Sequence, residues 1–395
     1  MSGEADHALP PRVVFYNNPK VRAVAYQLVL LAVVLWLGCQ FALNARENLA
    51  AQKITSGFGF LENTAGFNVN QSLIPYQESD TYGRVFVVGL LNTLLVSAVG
   101  IVFATVLGFV VGIARLSPNW LVARIGGGYV ELIRNLPLLF QLLFWYLAVL
   151  GTLPGPRQSF SLFGQAFLNN RGIIVPAPVL GAGAGAVGLT LLAGIVAAIV
   201  LRIWARRRQE RTGLPFPLLW PSLALIVGLP LATLVATGFP VTFEKPELRG
   251  FNFVGGLRLI PEFVALLFAL TTYTAAFIAE IVRAGILAVS RGQTEAALAL
   301  GLRRGLTLRL IVIPQALRVI VPPLTNQYLN LTKNSSLAVA IGYPDLVAVF
   351  AGTALNQTGQ AIEIIAITMA VYLAISLTTS IGMNFYNSRI GRTRH

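Results

Sequence analysis

Charged residues are scarce in this chain. Only 11% of its 395 residues are Asp, Glu, Lys or Arg, whereas 55% are hydrophobic and the mean hydropathy is +0.72. A soluble globular domain carries about 25% charged residues. The composition therefore excludes a soluble enzyme and a disordered chain, and it predicts an integral membrane protein.

Cysteine, histidine and lysine are also rare. The single cysteine, Cys39, cannot form an internal disulfide, and the two histidines lie at the chain ends, so we predict no metal site and no cofactor. None of the four lysines follows a glycine, which excludes a P-loop for ATP. Any ATP must therefore be bound by another protein.

One glycine-rich segment, 183–188, matches G-x-G-x-x-G. It lies inside an apolar run and does not follow a strand, as a dinucleotide site would require. We interpret its glycines as helix-packing positions, with Gly181 and Gly185 spaced as G-x-x-x-G.

Apolar runs recur along the whole chain. A membrane-spanning helix needs about 20 mostly apolar residues, and the sequence predicts an all-α, polytopic fold with about eight such helices. The runs are 24–43, 86–114, 135–153, 179–201, 215–237, 263–288, 312–332 and 361–384. The seventh is the least regular because it contains three prolines and two asparagines, which are tolerated where they are buried in protein or line a cavity.

The basic residues predict the orientation. With eight spans and both termini in the cytoplasm, 20 of the 29 Lys and Arg residues fall in cytoplasmic segments, among them five arginines between Arg202 and Arg211. This is the positive-inside pattern. The net charge of +14 is thus explained by basic residues on the cytoplasmic side of a lipid membrane. We therefore predict no nucleic-acid partner.

The chain divides into four predicted segments. They are 1–84, with the N-terminal cytoplasmic part, the first span and an outer loop; 85–153, the first part of a membrane core; 154–261, an inserted helical hairpin with its loops; and 262–395, the second part of the core with a cytoplasmic loop at 290–314.

Two pairs of opposite charges lie within or near the spans. Glu131 and Arg134 are three residues apart, and so are Glu280 and Arg283. Residues at this spacing share one face of a helix. Each pair is either internally compensated or placed at a polar pathway in the bundle interior.

The amides of the seventh span and the residues that follow it are candidates for the same pathway. Asn326, Asn330, Lys333 and Asn334 need polar partners or water, and Glu280 is a further candidate. For Lys333 and Asn334 the alternative is a solvated helix end.

The loop at 290–314 reads as a short helix followed by a turn. Ser290 and Gln293 have the spacing of a capping box, Glu295 is predicted in the first helical turn, and Gly301 is suited to the left-handed position that ends a helix.

The spacing of this loop resembles the EAA loop of ABC importer permeases, which reads E-A-A, three residues, G, nine residues and I-x-L-P. The matching residues are Glu295, Ala296, Ala297, Gly301, Ile311 and Pro314, with Ile313 in place of the usual leucine. The small side chains of Ala296 and Ala297 would let another protein pack closely against the helix.

Other segments narrow the resemblance to the polar amino-acid permeases of the histidine, glutamate and glutamine type. They are 92–95, 129–141, 277–286, 314–318 and 331–337. The resemblance covers 85–153 and 259–390. The additional first span and the 154–261 insertion are similar to the longer general L-amino-acid permeases.

The resemblance implies a type I ABC importer core in a bacterial inner membrane. It further implies a second permease subunit, a dimer of ATPase subunits that bind the EAA loop, and a periplasmic amino-acid-binding protein. An ion-coupled secondary transporter and a membrane scaffold are the alternatives, but neither has a use for the EAA loop.

Overall fold

The computed structural model describes residues 19–51, 57–239 and 241–391, and most of them are helical. The α-helices are α1 (Pro19–Ala51), α2 (Tyr82–Ala114), α3 (Trp120–Asn135), α4 (Leu138–Leu143), α5 (Ala184–Thr212), α6 (Leu219–Leu223), α7 (Leu229–Ala236), α8 (Pro261–Leu287), α9 (Arg291–Ala299), α10 (Arg304–Thr307), α11 (Ile313–Asn334), α12 (Leu355–Thr358) and α13 (Ala361–Gly391). Segments of π-helix cover Phe144–Leu150, Ala224–Gly228, Leu308–Val312 and Val347–Ala354, and 3₁₀ turns cover Gly59–Glu62, Pro156–Gln158 and Ser335–Ile341.

Seven helical stretches of the described residues are long and apolar enough to cross a membrane. They are Val21–Phe41, Tyr82–Ala114, Ala184–Thr212, Leu219–Ala236, Pro261–Leu287, Arg304–Ile341 and Ala361–Ser388. A bent pair of helices, Trp120–Asn135 and Leu138–Leu150, adds an eighth span if the two are counted together as a single span. The predicted all-α membrane fold with about eight helices is confirmed at this level.

The bent pair corrects the predicted third span, 135–153. Helix α3 begins much earlier, at Trp120, and the chain turns by 107° between Asn135 and Leu138 before it continues to Leu150. The cause is Pro137, which has no backbone N–H and forces the preceding residue out of the helical region. Leu136 accordingly has φ −101° and ψ 131°.

The seventh span is also longer than predicted, because helical structure runs from Arg304 to Ile341. Pro322 and Pro323 lie inside α11 without ending it. The remaining predicted spans differ from the observed helices mainly at their ends.

The core centres on α8, which packs along α2 and against α11. Gly108 and Gly112 of α2 permit this approach, since a Cβ atom on Gly108 would lie 2.6 Å from the Ile278 side chain and one on Gly112 would lie 2.8 Å from the Ala279 carbonyl oxygen. On the other side of α8, a Cβ atom on Gly285 would lie 2.3 Å from Ile320 of α11. Side chains of Ile278 and Ala279 are fully buried.

The segment 154–261, predicted to be an insertion, contains strands that the sequence did not lead us to predict. They are β1 (Phe160–Leu162), β2 (Ala166–Asn169), β3 (Gly172–Val175), β4 (Ala177–Leu180), β5 (Val241–Glu244), β6 (Glu247–Arg249), β7 (Asn252–Val254) and β8 (Leu257–Leu259). All pairings are antiparallel: a sheet in the order β1-β2-β3-β8, and the pairs β4-β5 and β6-β7. We call these strands and their turns, residues 154–180 and 241–260, the β module.

Between the two halves of the β module, α5 and α7 form a helical hairpin. A Cβ atom on Gly194 would lie 2.1 Å from the Leu225 carbonyl oxygen, so Gly194 is the position of closest approach. The packing role that we predicted for Gly181 and Gly185 is wrong for Gly185, which has nothing within 4 Å of its Cβ position. Most large apolar side chains of the hairpin are exposed, as a lipid-facing surface requires.

Candidate functional site

The loop that resembles the EAA motif directly follows α8. Ser290 precedes α9 in an extended conformation, but its side chain makes no capping hydrogen bond, and Gln293 instead donates its backbone N–H to the Ser290 carbonyl, 3.0 Å away. The predicted capping box is therefore wrong. Because α9 begins at Arg291, Glu295 is its fifth residue and lies beyond the first turn, which corrects the predicted helix-dipole contact.

Gly301 ends α9 as predicted. Its φ is +79°, in the left-handed region. Its N–H donates to the Leu298 carbonyl at 2.9 Å, and the N–H of Leu302 donates to the Ala297 carbonyl at 3.1 Å. These two bonds form a Schellman motif, and they fix the direction in which the chain leaves α9.

The two alanines of the motif face different surroundings. Ala297 is 2% exposed and packs inside its own chain, whereas Ala296 is exposed together with Glu295. The bare surface predicted for both alanines is thus correct only for Ala296. Leu300, at the end of the helix, is 82% exposed. The free side of α9 consequently offers a carboxylate, a small side chain and an apolar side chain to a partner.

The second half of the motif shapes the entry into α11. Ile311 lies in the π-helical segment Leu308–Val312, and Pro314 is the second residue of α11. Since a proline lacks the N–H of a regular helical turn and its ring crowds the carbonyl four residues earlier, the wider π turn accommodates Pro314. Gln315 then donates to Gln293 of α9 across 3.4 Å.

A polar row runs along the C-terminal half of α11. Asn326, Asn330 and Lys333 are exposed and Asn334 is half-buried, whereas Leu324 and Leu331 on the other face are buried. The first three are spaced i, i+4 and i+7, so they share one face over about 10 Å. In the described part of the chain, none of the four polar side chains has a hydrogen-bond partner. We call this set the α11 polar row.

Glu280 lies elsewhere. Its carboxylate accepts hydrogen bonds from Arg115, at the end of α2, and from Arg283, at 2.6 Å. The three side chains are between 14% and 33% exposed. Glu280 is also distant from the α11 polar row. Leu331 of α11 and Leu267 of α8 both lie near Gly100 of α2, so they are at the same level of the bundle. Glu280 is 13 residues, or about 20 Å, further along α8 than Leu267. Arg115 had no signal in the sequence that distinguished it from other basic residues.

The other predicted charge pair is that of Glu131 and Arg134. Among the described residues no ion pair joins Glu131 and Arg134. The Arg134 guanidinium lies 5.1 Å from the centre of the Phe277 ring, which is a favourable cation–π distance. The exposed carboxylate of Glu131 remains on the surface of α3.

Near the start of α2, a buried polar network joins that helix to the segment after α11. Asn92 donates from Nδ2 to the Pro344 carbonyl at 2.8 Å, and the N–H of Leu346 donates to the Thr93 hydroxyl at 3.0 Å. Asp345 is fully buried and accepts from the Ala348 N–H at 2.8 Å. Burial raises the pKa of Asp345 to about 7, although that backbone hydrogen bond acts in the opposite direction.

Comparison with known proteins assigns the family. Residues 100–392 match the family described as binding-protein-dependent transport system inner membrane component. The chain belongs to this family. It is 52% identical to the general L-amino acid transport system permease protein AapQ of Rhizobium johnstonii, over 94% of this chain and 93% of that protein. It is 57% identical to protein YhdX of Escherichia coli (strain K12), over 95% of each.

These matches confirm the predicted resemblance, which was carried by the EAA spacing and the segments around it. The glutamate/glutamine/aspartate/asparagine transport system permease protein BztB of Rhodobacter capsulatus is 45% identical over 96% of this chain. A solved structure of an amino acid ABC transporter with histidines aligns with a TM-score of 0.46 at 22% identity, covering 78% of this chain and 95% of that one.

Proposed function

We propose that this chain is the permease subunit of an ABC importer for amino acids. The observation that carries the proposal is the cytoplasmic loop: a short helix at the end of the central helix α8, closed by a Schellman turn at Gly301, with Glu295, Ala296 and Leu300 exposed. An exposed, geometrically fixed helix of this kind is suited to fit a groove on a partner. The amino-acid substrate class rests on the relatives named above.

The proposed complex contains three further components. A second permease subunit, a homologous but different chain, pairs with this one, a dimer of ATPase subunits binds the EAA loops, and a periplasmic amino-acid-binding protein delivers the substrate. ATP is hydrolysed by the partner. Transport follows from alternating access, since ATP binds with different affinity to the inward and outward states and so shifts their populations.

The α11 polar row is the proposed lining of the transport pathway. Unpartnered amides and a lysine on one exposed helix face are costly against lipid. They are compatible with a water-filled path, and a second permease subunit that presents the same kind of face would enclose it. Glu280 belongs to the original set of pathway candidates, but its pairing with two arginines favours a structural role for its carboxylate.

Both termini are proposed to lie in the cytoplasm of a bacterial cell. A reporter enzyme that is active only in the periplasm should be active when fused after Phe253 and silent when fused after Gln209, because the arginines from Arg202 to Arg211 hold that loop inside. The opposite result would contradict the orientation.

The proposal is tested by reconstituting the purified complex in vesicles with the ATPase, the second permease and the binding protein. Labelled amino acid should accumulate only with ATP and binding protein. Uptake driven by a proton gradient without ATP would favour a secondary transporter. Alanine at Asn326, Asn330 or Lys333 should change uptake while the complex still assembles, and Val102→Ala, on the exposed surface of α2, is the matched control. Normal uptake by all pathway variants would contradict the assignment of the α11 polar row.

A further inference from the structure

The β module carries a pocket that the transport mechanism does not use. The cavity has a volume of about 160 Å³ and lies between the four-stranded sheet and the β6-β7 hairpin. Its lining includes the guanidinium groups of Arg171 and Arg258, the amide of Asn252 and the side chain of Ile174. A small, partly apolar pocket with two cationic groups is suited to receive a carboxylate.

The arginines at and beside this pocket are held in place. Arg171 donates to the Asn252 side-chain oxygen, and Arg258 donates to the Arg171 carbonyl at 3.3 Å. Arg157 donates to the Gly250 carbonyl at 3.2 Å and stacks 3.9 Å above the Phe251 ring. Their orientation is therefore fixed before any ligand arrives, which lowers the entropy cost of binding.

None of these three arginines contacts a carboxylate in the part of the chain that the structure describes. Arg249, on the neighbouring strand β6, differs because it forms an ion pair with Glu247 at 3.2 Å. Among the described residues, the guanidinium groups that line or adjoin the pocket are thus hydrogen-bonded but have no carboxylate partner.

The charge of the β module is also distinctive. Its residues, 154–180 and 241–260, contain five Lys and Arg and two Glu, a net charge of +3. All the predicted outer segments together contain nine basic and nine acidic residues, so the other outer segments carry −3. Positive charge on the outer face is thus concentrated in the β module. This charge favours an acidic partner, because opposite potentials guide docking.

Exposed aromatic side chains surround these charges. Phe163 is 91% exposed, Phe251 68% and Phe160 60%. Aromatic residues and arginine are the residue types enriched in protein–protein interfaces and at their energetic hot spots. A small anion would contact only the pocket and leave these aromatic side chains uncovered. The combination of arginines and exposed aromatic residues therefore favours a protein partner.

We infer that the β module is a docking surface for an acidic patch on the periplasmic binding protein, with a carboxylate of that protein bound by Arg171 and Arg258. This inference rests on the proposed function. The connection to the rest of the chain is direct, since β8 leads into α8 and α8 leads into α9. A contact at the module is therefore linked covalently, through one helix, to the cytoplasmic loop.

The test uses the complete reconstituted complex and titrates binding protein against ATP hydrolysis. Arg171→Glu combined with Arg258→Glu should raise the concentration of binding protein needed for half-maximal stimulation by about tenfold or more, with basal hydrolysis unchanged. The milder pair Arg171→Gln and Arg258→Gln should show a smaller shift in the same direction. The control exchanges Glu247 and Arg249, which preserves both that ion pair and the net charge, and should titrate like the unmodified complex.

The outcomes separate the two proposals. If the unmodified complex shows no uptake that depends on binding protein, the proposed function fails. If it does, and the glutamate variant titrates normally, the docking inference is overturned. An equal shift in the exchange control would also overturn it. A shift seen only in vesicles of anionic lipid would assign the surface to the membrane and overturn it too, whereas restoration of affinity by a lysine introduced into the acidic patch of the binding protein would support it.

Discussion

Replacement of Gly301 by valine tests the proposed coupling role of the loop at 290–314. No atom lies within 4 Å of the position that a Cβ atom would occupy at Gly301, so valine would meet no steric obstacle in this chain. The cost comes from the backbone alone, because φ is +79° and an L-residue in the left-handed region costs roughly 1–2 kcal/mol. A β-branched residue is at the upper end of this range or above it.

An energy of this size is large for a local turn. A difference of 1–2 kcal/mol reduces the population of the correct turn geometry by a factor of about 5–30. In the competing geometry residue 301 leaves the left-handed region, and the two Schellman hydrogen bonds are lost. We expect Gly301→Val to lower uptake and substrate-stimulated ATP hydrolysis together by a factor in that range. Membrane insertion and the capture of substrate by the binding protein should remain normal.

The control at the same position is asparagine, which tolerates the left-handed conformation far better than valine. Gly301→Asn should therefore retain most of the uptake. Both activities are measured in vesicles at matched protein levels. Full activity of Gly301→Val would refute the view that this turn positions α9 on the ATPase. Equal losses in both variants would show that the side chain, and not the backbone, is responsible.

Three other predictions concern the core, the charge triad and the buried carboxyl group. Gly108→Ala should lower the free energy of unfolding by about 1–3 kcal/mol, because the added methyl group overpacks against Ile278. Gly127→Ala is the control, since open space surrounds that position, and equal effects of both substitutions in a thermal unfolding assay would contradict the close α2–α8 contact. Glu280→Gln should destabilise the chain by about 1–3 kcal/mol, since it leaves two partly buried guanidinium groups without their carboxylate; lost uptake with unchanged thermal stability would instead assign Glu280 to the pathway. Because the pKa of Asp345 is raised from 3.8 to about 7, its contribution to stability is fully present below pH 4 and is lost as the pH rises through 7. Asp345→Asn should remove this dependence, so the melting temperature of the variant should rise relative to that of the unmodified chain between pH 5 and pH 8, and parallel pH profiles would refute the assignment.

The sequence predicts the loop at 290–314 better than any other part of the chain, and the reason is physical. A left-handed turn at the end of a helix favours glycine, so Gly301 marks the end of α9 from sequence alone. The predicted capping box was wrong although Ser290 and Gln293 have the right spacing, because the Gln293 N–H donates to the carbonyl oxygen of Ser290 and not to its hydroxyl. Spacing specifies which groups are near each other and leaves open which of them bond.

Long-range contacts had no comparable signal. The pairing of Arg115 with Glu280 joins residues 165 positions apart, and nothing in the local pattern selects that arginine. The bend at Pro137 was predictable in kind, since proline breaks helices, but the apolar run across it hid the position of the break. The short strands of the β module, of three or four residues each, are too brief to show an alternating pattern. Two of their pairings, β3 with β8 and β4 with β5, join distant parts of the chain.

The pairing of β3 with β8 joins the two halves of the β module side by side, with Ile173 opposite Leu259. The chain that leaves β3 thus returns to the same sheet at β8, after passing through the α5–α7 hairpin. We therefore expect the residues between these two strands to be exchangeable as one piece. A chimera that carries the corresponding segment of a relative would change what the outer face recognises while keeping the membrane core intact.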